Sequence, residues 1–393
     1  MRSSDLGRHT VGKRRCSAAV AALLVAATCV VGATAAGQAG PAFKKVGGWG
    51  KQGTANGQFR ANAYGLATDK AGSVYVADTD SFRVQTFSAS GAFRRSFPFK
   101  ASESTHDVAA GSDGSVWATA LQASEARRLV GGGDVLSTAP QEALGVAVDA
   151  RGNVYVASSG DNVHNVIRFD KASGYAKGVT LGGFRDPGDV ESSPDGSLYV
   201  VDGLSVKRFV ADKLVKTIKG GVSAPIGIAV DLDCNLWMTN ISQRNLTKLS
   251  PTGKVLGTAA TPDLIAQDVA VGPKGDLYAY DSGTHSIVRL AEDRSKPATA
   301  AVGGVTVAKK GARSVARVKY TAAGIACPAQ LTATASLSGG ASGKASVKVG
   351  AGTSSLIEIP LAKAPAGSVS ATFTIVLKTN GRPTTQTASV RLG

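Results

Sequence analysis

The sequence predicts an all-β protein, a six-bladed β-propeller followed by a small β-sandwich. Short Val, Ile and Tyr runs broken by Gly, Asp, Asn and Ser fill the 393 residues, a pattern typical of strands. A tight turn followed by an apolar and an aromatic residue occurs six times, beginning at Gly72, Gly114, Gly152, Gly196, Cys234 and Gly275. Successive copies start 42, 38, 44, 38 and 41 residues apart, close to the roughly 40 to 45 residues of a four-stranded blade.

Composition excludes other classes. Long runs of helix formers at helical spacing are missing, which excludes an all-α protein. The chain is 43% hydrophobic and only 18% charged, which excludes a disordered chain.

The first copy shows how one blade is built. We expect an inner strand at Gly65 to Thr68, a turn at Asp69 to Gly72, and strands at Val74 to Ala77, Arg83 to Phe87 and Ala92 to Phe97. Asp and Gly suit the turn because it needs positive φ and a side chain that bonds to its own backbone.

The last blade needs a strand from elsewhere. After Ser286 to Leu290 the chain enters a polar segment, with no fourth strand signal. A spare strand, Phe43 to Trp49, precedes the first copy. We therefore expect it to complete the sixth blade and close the ring, so that the propeller spans 40–291.

The pattern of the C-terminal part predicts a second, smaller β domain. A linker at 292–302 precedes seven short Thr- and Val-rich segments within 303–393. They lie at Val305 to Lys309, Ser314 to Tyr320, Gln330 to Leu337, Ala345 to Val349, Ser354 to Pro360, Val369 to Lys378 and Thr384 to Arg391. This pattern is typical of an immunoglobulin-like sandwich.

Residues 1–35 have the features of an export signal. Five basic residues precede an apolar stretch from Ala18 to Val31, and the small-x-small site Ala33-Thr34-Ala35 follows. We expect a secreted protein with no transmembrane segment after cleavage. The general secretory route and the twin-arginine route, suggested by Arg14-Arg15, both stay open.

Charge is concentrated at the C-terminus. Of the formal net charge of +16, the predicted signal carries +4, the residues from Pro297 onward carry +10, and the middle of the chain carries only +2. We expect the C-terminal domain to face an anionic partner, either cell-envelope polymers or lipid headgroups, and we expect no nucleic acid partner.

Several motifs resemble those of a known family. Gly47-Gly48-Trp49-Gly50, Gly57-Gln58-Phe59, Tyr64-Gly65-Leu66-Ala67 and Val74-Tyr75-Val76-Ala77-Asp78, ahead of Arg83-Val84-Gln85, resemble an NHL repeat. The similarity covers roughly 43–291 and implies a secreted six-bladed propeller that acts as an interaction platform. Six-bladed relatives also include peptide-amidating lyases, virginiamycin B lyases and gluconolactonases, which use a metal at the channel mouth.

The inner strands carry the candidate site. Seven residues ahead of each copy stand, in order, Gly65, Asp107, Gly145, Asp189, Gly227 and Asp268. Because inner strands line the channel, three carboxylates would meet at one mouth, where they repel unless a cation neutralises them. Asp107, Asp189 and Asp268 are therefore candidate ligands for a divalent cation such as calcium. Alternatively, each bonds to the backbone of a neighbouring blade. Tyr64 and His106, one residue earlier, are further ligand candidates.

A basic position recurs on the third strand of the blades, occupied by Arg128, Arg168, Arg208, Lys248 and Arg289, with Thr86 as the exception. We expect these residues to pair with acids or to extend along blade edges. A polyanion-binding ring is the alternative.

Two cysteines follow the predicted signal, Cys234 and Cys327. In an oxidising compartment they are a candidate disulfide that would tie the two domains together. Two buried free thiols are the alternative.

Binding is favoured over catalysis, because no nucleophile elbow, phosphate loop or zinc-protease helix is present and the sequence identifies no catalytic residues. We expect a secreted or envelope scaffold that binds a protein or glycan on a propeller face. The alternative is a metal-dependent lyase or lactonase-like hydrolase with its site at the channel mouth. For the amidating lyases only His106 is suitably placed, and the Glu typical of the gluconolactonases is absent from the first inner strand.

Overall fold

The computed structural model describes residues 43–138, 142–160, 163–176, 178–259 and 263–292, together with seven strands between 301 and 392. The predicted export signal lies outside the described residues, as does most of the predicted linker. Within the described part of the chain, no helix has the length and apolar character needed to cross a membrane.

The region 43–292 is a six-bladed propeller of four-stranded antiparallel sheets. Blade 1 contains β2 (Gly65–Thr68), β3 (Val74–Asp78), β4 (Arg83–Phe87) and β5 (Phe93–Pro98). Blade 2 contains β6 (Thr105–Ala110), β7 (Val116–Ala120), β8 (Glu125–Val130) and β9 (Val135–Ser137). Blade 3 contains β10 (Glu142–Val148), β11 (Val154–Gly160), β12 (Val163–Phe169) and β13 (Gly178–Leu181). Blades 4 and 5 contain β14 (Pro187–Ser192), β15 (Ser197–Asp202), β16 (Ser205–Val210), β17 (Lys213–Lys219); and β18 (Ile228–Val230), β19 (Leu236–Asn240), β20 (Asn245–Leu249), β21 (Val255–Ala259).

Blade 6 takes its fourth strand from the N-terminal end of the propeller, as the sequence predicted. Its strands are β22 (Ala266–Val271), β23 (Leu277–Asp281), β24 (Ser286–Glu292) and β1 (Phe43–Trp49), and β1 pairs with β24 from Phe43 opposite Glu292 to Trp49 opposite Ile287. Each innermost strand contacts the next, and β22 contacts β2. The ring is therefore closed.

Aromatic residues at the two ends of β1 fasten it to both neighbouring blades. The Phe43 ring lies 4.8 Å from Trp237 of blade 5, and Trp49 lies 5.7 Å from Phe87 of blade 1. Gly91 of blade 1 leaves room for the indole, because a Cβ there would lie 2.6 Å from the Trp49 ring. The closing strand thus adds side-chain packing on both sides to its backbone pairing.

The inner turn, which joins the first and second strands of a blade, follows the predicted chemistry. In blade 1 the Asp69 carboxylate accepts a hydrogen bond from the Ser73 N–H at 2.7 Å, and Asp149 and Asp231 do the same in blades 3 and 5. Gly72 has a φ of 81°, a conformation that glycine adopts without strain. These turns fix the spacing between the channel and the second layer of strands.

The C-terminal strands form two antiparallel sheets. They are β25 (Ala301–Lys310), β26 (Arg313–Thr321), β27 (Ala329–Leu337), β28 (Ser342–Val349), β29 (Ser354–Pro360), β30 (Val369–Lys378) and β31 (Pro383–Leu392). One sheet has the order β25-β26-β29 and the other β28-β27-β30-β31. Each of the seven predicted segments overlaps a strand, and the immunoglobulin-like sandwich stays a prediction.

The closing strand generates a stability prediction. We expect Trp49→Ala to lower the free energy of unfolding by about 3 kcal/mol, since it removes a large ring packed between two blades. Val46→Ala is the matched control, because Val46 lies on the same strand with 44% of its surface exposed and should cost less than about 0.5 kcal/mol. Denaturant unfolding measures both variants. Equal losses would show that packing by Trp49 contributes nothing to closure.

Candidate functional site

The three inner-strand aspartates bind backbone N–H groups across blade interfaces. Asp107 Oδ2 lies 2.7 Å from the Val146 nitrogen in blade 3, and its Oδ1 accepts from its own neighbour Val108. Asp189 repeats this arrangement with Ile228 in blade 5 and with Val190. Asp268 Oδ2 accepts from Leu66 in blade 1 at 2.6 Å. Each aspartate therefore clamps its blade to the following one.

The glycines that alternate with them make room for the carboxylates. A Cβ at Gly65 would lie 2.5 Å from both Cα and Oδ1 of Asp107. A Cβ at Gly227 would be similarly close to Asp268 Oδ1, and one at Gly145 would meet the backbone of Gly188 and Asp189. Aspartate and glycine thus complement each other sterically at three blade interfaces, while the hydrogen bonds cross the other three.

Burial and mutual repulsion shift these carboxyl groups towards the protonated form. Burial raises the pKa of Asp189 to about 7. The pKa values of Asp107 and Asp268 lie well above the usual range, because both are buried and both face Asp189. Hydrogen bonds from backbone N–H groups oppose the shift but do not cancel it. The ring therefore holds protons near neutral pH.

The calcium hypothesis finds no support in this geometry. Among the residues that the structure describes, no three His, Cys, Asp or Glu side chains are grouped so that they could hold a metal ion. Oδ2 of each aspartate accepts from a backbone N–H of the following blade, whereas Asp268 Oδ1 is buried without a hydrogen-bond partner among the described residues. The alternative of hydrogen bonding to the backbone of a neighbouring blade describes one oxygen of each residue, and a divalent cation held by the three aspartates stays a prediction.

Tyr64 and His106 form an aromatic pair at the mouth, which we define as the end of the channel where the innermost strands begin. Their rings are stacked, with centroids 5.0 Å apart and planes 19° from parallel. Burial lowers the pKa of His106 to about 4, so the imidazole is neutral at physiological pH. The imidazole bonds to the backbone of Leu144, so the pair offers the outer faces of two stacked rings and one further neutral ring nitrogen.

Glu191 is a site residue that sequence reasoning missed. It follows Asp189 by two positions on β14, where the other five inner strands carry Ala67, Ala109, Ala147, Ala229 and Ala270. Burial and the nearby Asp189 raise the pKa of Glu191 to about 8. Comparison of that one column of the repeat would have revealed it, because an acid replaces alanine in a single blade.

The basic position of the third strand is occupied by paired cations. The ion pairs are Arg128 with Asp134, Arg168 with Asp170, Arg208 with Asp195, Lys248 with Asp231 and Arg289 with Asp276. Three of the cations also lie over aromatic rings of the second strand, namely those of Trp117, Tyr199 and Trp237. Their charges are used within the blades, as expected, rather than presented as a ring for polyanions.

Cys234 is disulfide-bonded. Its side chain is fully buried, and the Ser193 hydroxyl donates to its sulfur at 3.2 Å. The partner suggested by the sequence, Cys327, lies outside the described residues.

Comparisons with known proteins bear on the fold. No family model matches the chain and no curated protein matches it, so membership of the NHL family stays a prediction. Among solved structures it is similar to a streptogramin B lyase at 14% identity, over 64% of this chain and 98% of that chain, with a TM-score of 0.49. It is also similar to a putative gluconolactonase at 17% identity, over 65% of this chain and 93% of that chain, with a TM-score of 0.50. The likeness to the second structure, at a TM-score of 0.50, supports the propeller fold alone, and neither structure carries an activity to this chain.

The aspartate ring generates a pH prediction. The pKa of Asp189 rises on folding from its usual 3.8 to about 7, so its contribution to stability is complete below about pH 4 and is lost as the pH rises through 7. Asp189→Asn keeps only one acceptor oxygen, and losing one backbone bond should cost about 1–3 kcal/mol at pH 5. Since Asn does not titrate, we expect the difference in unfolding free energy between wild type and variant to shrink towards pH 8.

Asp195→Asn is the matched control for that measurement. Hydrogen bonds and Arg208 lower the pKa of Asp195, so its contribution is present above the unfolded pKa and is lost as the pH falls. The difference in unfolding free energy between wild type and Asp195→Asn should therefore shrink as the pH falls. Denaturant unfolding between pH 3 and pH 8 measures both, and a pH-independent gap for Asp189→Asn would contradict the protonated ring.

Proposed function

We propose that this chain is a secreted or cell-envelope binding protein that takes a protein or glycan partner at the mouth of its propeller. The observation that supports this most is the stacked pair of Tyr64 and His106 on adjacent blades. An aromatic face and a neutral imidazole are suited to partners with apolar ring faces and hydroxyl groups. Both features are found in sugars and in tyrosine-rich protein surfaces.

The mouth is a rigid setting for recognition. His106 is followed directly by Asp107, whose carboxylate is fixed to Val108 and Val146 by two hydrogen bonds of 2.7 Å. Tyr64 is followed by Gly65, which packs against the same aspartate. Little side-chain or backbone freedom is then lost when a partner binds, which favours affinity.

Envelope attachment is the second part of the proposal. The residues from Pro297 onward carry eleven basic side chains and a single acid, Glu358, whereas the propeller cations at the repeated third-strand position are paired with acids. A net excess of positive charge attracts anionic wall polymers or lipid headgroups. We assign attachment to the C-terminal segment and partner recognition to the mouth.

Glu191 favours one competing function, that of an enzyme with an acid at the channel. A carboxyl with a pKa of about 8 holds its proton at neutral pH and can donate it to a developing negative charge. Its replacement of an otherwise constant alanine shows that blade repetition does not require it. In this alternative Glu191 would act as the general acid of a lyase or lactonase-like hydrolase.

The mouth can be tested with an array of wall and envelope glycans followed by calorimetry on any hit. We expect Tyr64→Ala and His106→Ala each to weaken binding about tenfold, since loss of a stacked ring removes about 1–1.5 kcal/mol. Leu214→Ser is the control, because Leu214 is 49% exposed on the outer strand β17. Because His106 stays neutral from pH 5 to pH 8, titration of its imidazole should not change binding over that range. Continuous heat from ligand turnover would instead favour the enzyme.

Attachment can be tested by comparing the full chain with one that ends at Glu292, using vesicles that contain anionic lipid and, separately, an anionic wall polymer. We expect only the full chain to bind, and its affinity to fall steeply as salt rises from 50 to 300 mM, because screening shortens the range of the charges to about 6 Å. Equal binding by both chains, or binding that is insensitive to salt, would contradict attachment through the basic segment.

A further inference from the structure

One inner turn differs from the other five in its fourth residue. This residue stands three positions after the first residue of the turn, which is Asp69 in blade 1 and Asp231 in blade 5. The turns of blades 1, 2, 3, 4 and 6 place Gly72, Gly114, Gly152, Gly196 and Gly275 there, with φ between 80° and 84°. Blade 5 places Cys234 at this position, with a φ of 60°. Residues with a Cβ are strained at positive φ. The repeat therefore tolerates an unfavourable residue in one blade only.

The surroundings of Cys234 indicate what the side chain does. Its backbone N–H donates to Asp231 at 2.9 Å, as the glycines do in their turns, so the turn itself gains nothing from cysteine. A Cβ at Gly114 or Gly196 would meet no atom within 4 Å, whereas Cys234 is fully buried and disulfide-bonded. The strained residue is accounted for by the covalent bond that it makes.

We propose that Cys327 is the partner of Cys234, so that a disulfide staples the basic C-terminal segment to the inner turn of blade 5. The chain has two other cysteines, Cys16 and Cys29, and both stand in the predicted export signal. Cys327 lies outside the described residues and precedes β27 by two positions. It belongs to the mature part of the chain, which enters the oxidising compartment where disulfides persist.

Formation of the staple needs an external oxidant. The two thiols each lose a proton, one S–S bond forms, and two electrons pass to a disulfide of an oxidoreductase or of glutathione, which takes up two protons and becomes a pair of thiols. Exported proteins meet such oxidants outside the cytoplasm.

The position of Cys234 determines which face of the propeller the staple uses. The innermost strand of blade 5, β18, begins at the mouth and runs to the turn that contains Cys234. The inner turns and the mouth are therefore at opposite ends of the channel. Stapling at the inner turn would tether the segment at the end of the channel opposite Tyr64 and His106, a conclusion that does not depend on what the mouth binds.

Peptide mapping of the full chain, alkylated without reduction and digested with trypsin, tests the pairing. Cys234 falls in the peptide 220–244, Cys327 in 320–344, and both remaining cysteines in 16–44. We expect a linked species of 220–244 with 320–344 that disappears on reduction and returns on oxidation with glutathione disulfide. A link to 16–44, a link between two copies of 220–244, or alkylated free thiols would each overturn the proposal.

A cleavage experiment provides a second test that does not depend on peptide recovery. A specific protease site inserted between Ser295 and Lys296 divides the chain between the two parts. We expect the cut wild-type chain to run as one species on a non-reducing denaturing gel and as two after reduction. Cys327→Ser should run as two in both conditions, and so should Cys234→Gly, which restores the residue of the other five turns. Separation of the wild-type halves without reductant would overturn the staple.

Discussion

Ring closure is the constraint on which the rest of the structure depends. Each blade is apolar on both faces and must be covered by two neighbours, which is possible for all six only if the last blade meets the first. The pairing of β1 with β24 fulfils this requirement with a strand that lies far away in the sequence. The aspartate clamps depend on it as well, since Asp268 of blade 6 binds the Leu66 nitrogen of blade 1.

The innermost strands and the residues just before them include two sets of residues with different roles. Asp107, Asp189 and Asp268 recur in every second blade, and each makes the same kind of bond to the next blade. Repetition of this kind is expected of residues that hold a symmetric scaffold together. Glu191 breaks the repeat, since the other five blades have alanine at its position, and a residue that occurs once cannot be explained by a need that all six blades share. Tyr64 and His106 stand at a position where every blade has a different residue, so the scaffold leaves that position free for recognition.

Charge follows the same division between scaffold and surface. In the propeller, the basic side chains of the third strand are paired with acids, three of which lie near inner turns, and three of these cations are packed over aromatic rings. The near-neutral middle of the chain is consistent with this internal use of charge. The excess positive charge lies beyond Pro297, so long-range attraction of an anionic surface and short-range recognition at the mouth are assigned to different parts of one chain.

The sequence by itself determined the number of blades, the inner turns and the closing strand. The residues that predict turns and strands lie next to each other in the chain. The missing strand of blade 6 is matched by the spare segment at 43–49. Only the tertiary structure decided which groups the aspartates bind. Each carboxylate is close to a backbone N–H that lies 39 or 202 residues away in the chain, and no local pattern contains that distance. The same holds for Glu191, whose raised pKa arises from burial beside Asp189, because desolvation and repulsion act only once the blades have closed around them.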